Sequence, residues 1–118
     1  MNNNISKGRF AEQMAVEYLQ GQGFDVLHLN WRHVHCEIDI IASRNKVLHF
    51  IEVKGRWGPA FGTPEEAVTE YKFRKLQRAA SAYLHAYPKW KLVQFDIIAI
   101  QFSDGQHQVR FVEDIFYE

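Results

Sequence analysis

The apolar positions of this chain recur with one rhythm near its start and another in its middle, and the change of rhythm marks a change of element. From about residue 6 to 22 they repeat at four-residue spacing, with Phe10, Met14 and Tyr18 in one series and Ala11, Ala15 and Leu19 in another. That is a helical period. Ser6 is placed to cap its start, and Gly21 or Gly23 to end it. Phe24 to Trp31 reads as a strand holding Phe24, Val26 and Leu27. Residues 36–43 and 47–55 are two further strand-like runs. Between them, Ser43-Arg44-Asn45-Lys46 is polar and short enough for a hairpin turn.

Glycine and proline mark Gly55 to Pro64 as a loop. A second helix follows, with two possible starts. Thr63, Pro64 and Glu66 make a capping box with proline at the first helical position, and Thr69 is an equally good cap for a later start. Its inward positions are Phe73, Leu76, Ala80, Tyr83 and Leu84, and it stops before Pro88. Leu92 to Phe102 is an apolar strand interrupted by Asp96, Asp104-Gly105 is a turn, and Val109 to Ile115 is a last strand. The order α-β-β-β-α-β-β predicts an α/β fold, a mixed central sheet flanked by two helices. The length suits one domain over residues 1–118.

Two of the apolar runs carry charge. Cys36-Glu-Ile-Asp-Ile-Ile-Ala42 and His49-Phe-Ile-Glu-Val-Lys54 place carboxylates between residues that belong in a core. Removing water from an ionised carboxylate is costly unless it is paired or bound to a metal. Side chains alternate across a strand, so Glu37 shares a face with Asp39, and Glu52 with Lys54. A four-residue loop from Arg44 to Val47 would set Ser43 opposite Leu48 and Asp39 opposite Glu52. A two-residue loop would set Asp39 opposite Phe50, one diagonal step from Glu52. Either register brings Asp39, Glu52 and Lys54 to one face, and a three-residue loop or a bulge would break the alignment. Adjacent carboxylates repel unless a cation lies between them. Hard oxygen donors suit Mg²⁺ or Mn²⁺. A lysine on the same face can orient a water or neutralise charge on phosphorus. The set is equipped to hydrolyse a phosphodiester.

Formal net charge is zero, but the cations are not evenly spread. From Lys54 to Lys91 there are eight basic residues against three acidic ones, a local excess of five. A basic surface beside an acidic metal pocket suits a phosphate backbone. A solvated helix face is the plainer account of the same charges. The lone cysteine, Cys36, excludes an intramolecular disulfide. The first residues lack the apolar core of a signal peptide, and no apolar run is long enough to cross a bilayer, so a cytoplasmic location away from membranes is expected. His33, His35 and Cys36 lack a second pair of ligands at zinc spacing. Asp96 is expected to make a structural hydrogen bond.

These residues resemble the small bacterial YraN-like proteins, predicted endonucleases related to archaeal Holliday junction resolvases in the PD-(D/E)XK nuclease superfamily. The resemblance runs through Ala11-Glu12, Asn30-Trp31-Arg32, Glu37-Ile-Asp-Ile-Ile41, Phe50-Ile-Glu-Val-Lys54, Arg56, Phe61 to Val68, Lys72 and Phe95-Asp96. It implies a restriction-endonuclease-like fold. Asp39 and Glu52 would be metal ligands, joined by the Val53 carbonyl, with Lys54 catalytic and Glu12 completing the metal shell. Glu37 is secondary. Arg56, Lys72, Lys75 and Arg78 are the expected contacts to nucleic acid, DNA rather than RNA. Trp57 and Phe61 could stack on unpaired bases or pack on a helix. By analogy the active unit is a homodimer. Four positions depart from the pattern: Cys36 and Ala11 stand in place of glycines, Gly55 in place of a threonine and Gln94 in place of an arginine. Two rival functions are a nucleic-acid-binding module that keeps the fold without cutting, and an adaptor with no nucleic-acid role.

Overall fold

The computed structural model describes residues 6–59 and 63–116. Its elements are α1 (Lys7–Gly21), β1 (Asp25–His33), β2 (Cys36–Arg44), β3 (Val47–Trp57), a 3-10 turn (Pro64–Ala67), α2 (Glu70–Ala86), β4 (Leu92–Ser103) and β5 (Gln106–Val112). The predicted order α-β-β-β-α-β-β is the observed one. The strands form one sheet in the order β1-β2-β3-β4-β5, antiparallel throughout except for the parallel pair β3 and β4. A parallel pair needs a crossover, and α2 lies in it.

Each face of the sheet has its own core. On one, Phe73, Leu76, Ala79, Ala80 and Tyr83 of α2 meet Ile38, Ile41, Leu48, Phe50 and Ile97. On the other, Ala11, Ala15 and Leu19 of α1 meet Ile40, Ala42, Ile51, Ile98 and Ile100. Of the two periodic series in α1, the one with alanines faces the sheet, and Phe10 is left 44% exposed. Small residues let the helix lie close to the strands. A Cβ added to Gly55 of β3 would stand 2.8 Å from the Cβ of Ala11.

Ser6 Oγ accepts a hydrogen bond from Arg9 N at 3.2 Å and starts α1. Both predicted starts of the second helix are used. Thr63 N donates to Glu66 Oε1 at 3.0 Å in the 3-10 turn. Buried Val68 is extended and interrupts the coil. Thr69 Oγ1 then accepts from Lys72 N at 3.2 Å and opens α2.

The β2–β3 turn has the shorter of the two loop lengths expected. Arg44 pairs with Val47 across Asn45-Lys46, both at positive φ (54° and 67°), as a two-residue hairpin of the favoured twist requires. Even so, Ser43 pairs with Leu48, which is the register that sets Asp39 across from Glu52. The last strand differs from expectation, running from Gln106 to Val112 instead of Val109 to Ile115. The Asp104-Gly105 turn brings Ser103 straight onto Gln106. An edge strand with one wet face can begin with polar Gln106-His107-Gln108, so it carries no apolar signal there. At the other end the chain leaves the ladder, and Ile115 N bonds Phe95 O instead.

Candidate active site

The β2–β3 ladder stops at Ile40–Ile51. One residue earlier, Asp39 replaces the ladder: its Oδ2 accepts a hydrogen bond from Val53 N at 2.8 Å. Ile38 and Ile40 lie in different cores although two apart in sequence, so regular alternation fails at Asp39. The distortion extends to β1. Leu29 pairs with Ile40 and Trp31 with Ile38, while Asn30 between them has φ 51°. Its side chain leaves the sheet, and Nδ2 donates to Glu12 Oε1 at 3.1 Å. A strand N–H and C=O of one residue point to the same side. The Val53 carbonyl is therefore turned toward Asp39 together with its N–H.

This break gathers charge. The Asp39 carboxyl is pushed up from 3.8 to about 7, first by burial and then by the Glu52 carboxylate, with Glu12 and Glu37 adding to it; only the Val53 N–H pulls it down. Glu52 is also raised, mainly by burial, with a contribution from Glu37. The ammonium groups of Lys72 and Lys54 and a side-chain hydrogen bond with Asp39 oppose that rise. Glu52 is thus the common member: Asp39 bonds to it, and the Lys54 ammonium acts on it. Glu12 joins through Asp39, and Lys72, at the first turn of α2, joins through Glu52.

The other predicted contacts separate into groups. Arg56 Nη2 donates to Thr63 O at 3.4 Å, tying β3 to the start of the 3-10 turn. Lys75 stands 5.1 Å over the Tyr71 ring, and together with Arg78 it lines a groove along α2. Trp57 packs between a strand and a helix: its ring stacks on Phe102 of β4 at 4.4 Å, and Lys7 Nζ of α1 lies 5.2 Å from its centre. Phe61 lies outside the described residues. Asn30 was missed as a partner of Glu12. The sequence held one signal, since asparagine tolerates the left-handed conformation.

A second polar group sits across β3. His49, Asp96 and Glu113 bring one ligand atom each within 4.8 Å of one another, so they could hold a metal ion, and among the described residues they are the one such trio. Here the oxygens already have donors. Asp96 Oδ2 is 2.6 Å from His49 Nδ1, and Oδ1 accepts from Gln94 Nε2 and Asp114 N at 3.0 and 2.9 Å. Glu113 accepts from Gln94 and is 3.6 Å from Arg44. The structural hydrogen bond expected of Asp96 is present several times over.

Residues 11–100 match Uncharacterised protein family UPF0102. The chain belongs to this family. A UPF0102 protein of Rhodococcus opacus is 38% identical over 118 residues, covering 98% of this chain and 100% of the relative. One from Bacteroides thetaiotaomicron is 37% identical over 110 residues, covering 93% and 91%. One from Clostridium perfringens is 36% identical over 116 residues, covering 96% and 95%. These names state the family and no activity. The UPF0102 match contains Glu12, Asp39, Glu52, Lys54 and Asp96 and ends before Glu113. No helix among the described residues is long and apolar enough to cross a membrane.

Proposed function

We propose that the chain is a divalent-metal-dependent endonuclease that hydrolyses phosphodiester bonds in DNA. The supporting observation is the pair Asp39 and Glu52, both raised by burial and by neighbouring carboxylates, with Lys54 and Lys72 beside them. Charge left this way is relieved by a cation. Two carboxylates and the Val53 carbonyl are hard oxygen donors and suit Mg²⁺ or Mn²⁺. A bound ion would supply charge neutralisation at phosphorus and a more acidic water. Lys54 then positions the attacking oxygen or takes up charge on the phosphoryl group. Glu12, held by Asn30, would complete the shell from α1, and Lys72 would offer a cation to the phosphate. The arrangement fits the PD-(D/E)XK pattern that the sequence resembles, and by that analogy a homodimer places one centre on each of two strands.

The test incubates the protein with labelled branched, single-stranded and duplex DNA in Mg²⁺ or Mn²⁺. Cleavage should appear with wild type and fall at least a hundredfold in Glu52→Ala and Lys54→Ala, roughly the loss expected for removing a transition-state contact. Cleavage that persists in both variants would rule the mechanism out. Salt-dependent binding without cleavage in any metal would support the module that binds and does not cut.

A further inference from the structure

Beside the candidate centre, a groove of about 1130 Å³ runs between α2 and the turn joining β1 to β2. Asp39 and Glu52 do not line it, but residues at its edge adjoin in sequence the groups that surround that pair. Tyr71, at its α2 end, precedes Lys72, whose ammonium acts on Glu52. Cys36, on the opposite wall, lies three residues before Asp39 on β2. From Tyr71 the groove follows α2 to His85, about 21 Å at the helical rise.

The lining has two characters. Lys75 and Arg78, three apart and so on one face of α2, bring positive charge, and no carboxylate lines the groove. Arg78 is exposed, with no acidic partner among the described residues. The remaining surface mixes aromatic and aliphatic side chains with three histidines, Ser81 and Cys36. Tyr71 is 69% exposed, and Trp31 forms part of the opposite wall. Val34 sits at the tip of the turn with φ 55° and is 77% exposed. A β-branched residue rarely adopts that backbone, and here it holds an apolar side chain out to solvent.

We propose that this groove binds an unpaired nucleic-acid strand and leads it to the Asp39–Glu52 centre; the proposal rests on the endonuclease reading above. An unpaired strand offers phosphates to Lys75 and Arg78 and base faces to Tyr71 and Trp31. A duplex keeps its bases stacked inside and presents phosphates along both rails, which would set charge against Val34 and Trp31. The substrate class is therefore DNA with a single-stranded arm at the cleavage point.

Fluorescence anisotropy in EDTA, with the full chain and no cleavage, reads the binding. The probes are a labelled oligothymidylate and a labelled blunt duplex. The double variant Lys75→Gln/Arg78→Gln should weaken oligothymidylate binding at least roughly tenfold, and Tyr71→Ala at least about fivefold. Duplex affinity should change less than about threefold. Mn²⁺ binding by calorimetry and thermal melting should match wild type, which excludes misfolding as the cause. Unchanged oligothymidylate affinity in both variants overturns the proposal. So does a parallel fall in duplex affinity, or a polyglutamate peptide that competes as well as the oligonucleotide. Two results separate this proposal from the reading beneath it. If Glu52→Ala abolishes cleavage while the groove variants bind strand normally, the endonuclease stands and the groove falls. If the groove variants lose strand binding but wild type never cuts, the groove stands and the endonuclease falls.

Discussion

Asp39 and Asp96 lie on the two strands that flank β3, close to neighbouring rungs, and their surroundings differ in kind. Asp96 is fully buried and surrounded by donors: His49, Gln94 and the Asp114 N–H. Asp39 is partly buried among acceptors, with Glu52, Glu12 and Glu37 raising its carboxyl and one N–H compensating. A buried carboxylate that the protein satisfies fixes structure. One that the protein leaves repelled has free energy to gain from a cation. By this measure the His49–Asp96–Glu113 trio is a bolt for the segment after β5, although its atoms are close enough for an ion. At metal–ligand bonds near 2 Å, two donors on one ion sit roughly 2.9 Å apart or more, so the 2.6 Å His49–Asp96 contact would have to open first.

The comparison can be broken most directly at Asp96. Removing one partner of a buried pair strands the other. Asp96→Ala should therefore cost about 3–5 kcal/mol in urea unfolding, with no recovery on adding Mn²⁺. A loss under about 1 kcal/mol would show that the bolt is dispensable. The next effect belongs to the other aspartate. Mg²⁺ or Mn²⁺ at about a hundred times its Kd should raise the unfolding free energy of wild type by about 2.7 kcal/mol and leave Asp39→Asn unmoved. Stabilisation that survives Asp39→Asn and vanishes in Asp96→Asn would move the metal to the trio.

The seating of α1, which carries Glu12, is tested at Gly55. Gly55→Ala should cost about 1–3 kcal/mol by overpacking against Ala11 and the Trp57 ring, and Ala11→Gly in the same chain should recover much of it. Additive losses in that double-mutant cycle would mean that the two positions are not coupled.

The smallest effect is the pH dependence from Asp39. Its carboxyl titrates near 7 in the folded chain against an ordinary 3.8, so between those values the folded state holds more protons than the unfolded one. Metal-free stability from this group therefore falls as pH rises from about 4 to 7. Asp39→Asn should flatten that slope and, at pH 8, raise metal-free stability by on the order of 1–2 kcal/mol. Equal slopes for the two proteins would place the proton elsewhere.

Much of this was legible in local sequence. Ser6, Thr63 and Thr69 announce helix starts because their side chains or N–H groups act within three residues. Asp104-Gly105 announces a turn because both positions need positive φ. Hairpin arithmetic offered two registers, and the one observed, with Ser43 opposite Leu48, sets Asp39 across from Glu52 although the turn spends only two residues. What stayed hidden depends on distance in sequence. His49 as the partner of Asp96 is set by the parallel β3–β4 register, which no local signal encodes. The break at Asp39 looks like ordinary alternation because Ile38 and Ile40 are identical residues sent to different cores. Two of the departures from the family pattern, Ala11 and Gly55, become intelligible only in contact: the methyl gained on the helix stands where a side chain is missing from the strand.

The single parallel junction, between β3 and β4, orders events in time. Glu12, Asn30, Asp39, Glu52, Lys54 and Lys72 all precede β4 in the chain, whereas Asp96 lies on β4 and Glu113 and Asp114 follow it. The first three strands are a meander of short loops and can zip locally. Docking β4 requires closing the whole crossover from Trp57 to Leu92, an entropic step that non-local pairing makes slow. On this topology the carboxylates of the centre can be gathered by the local meander and α1, whereas the His49–Asp96 lock has to wait for β4 to dock.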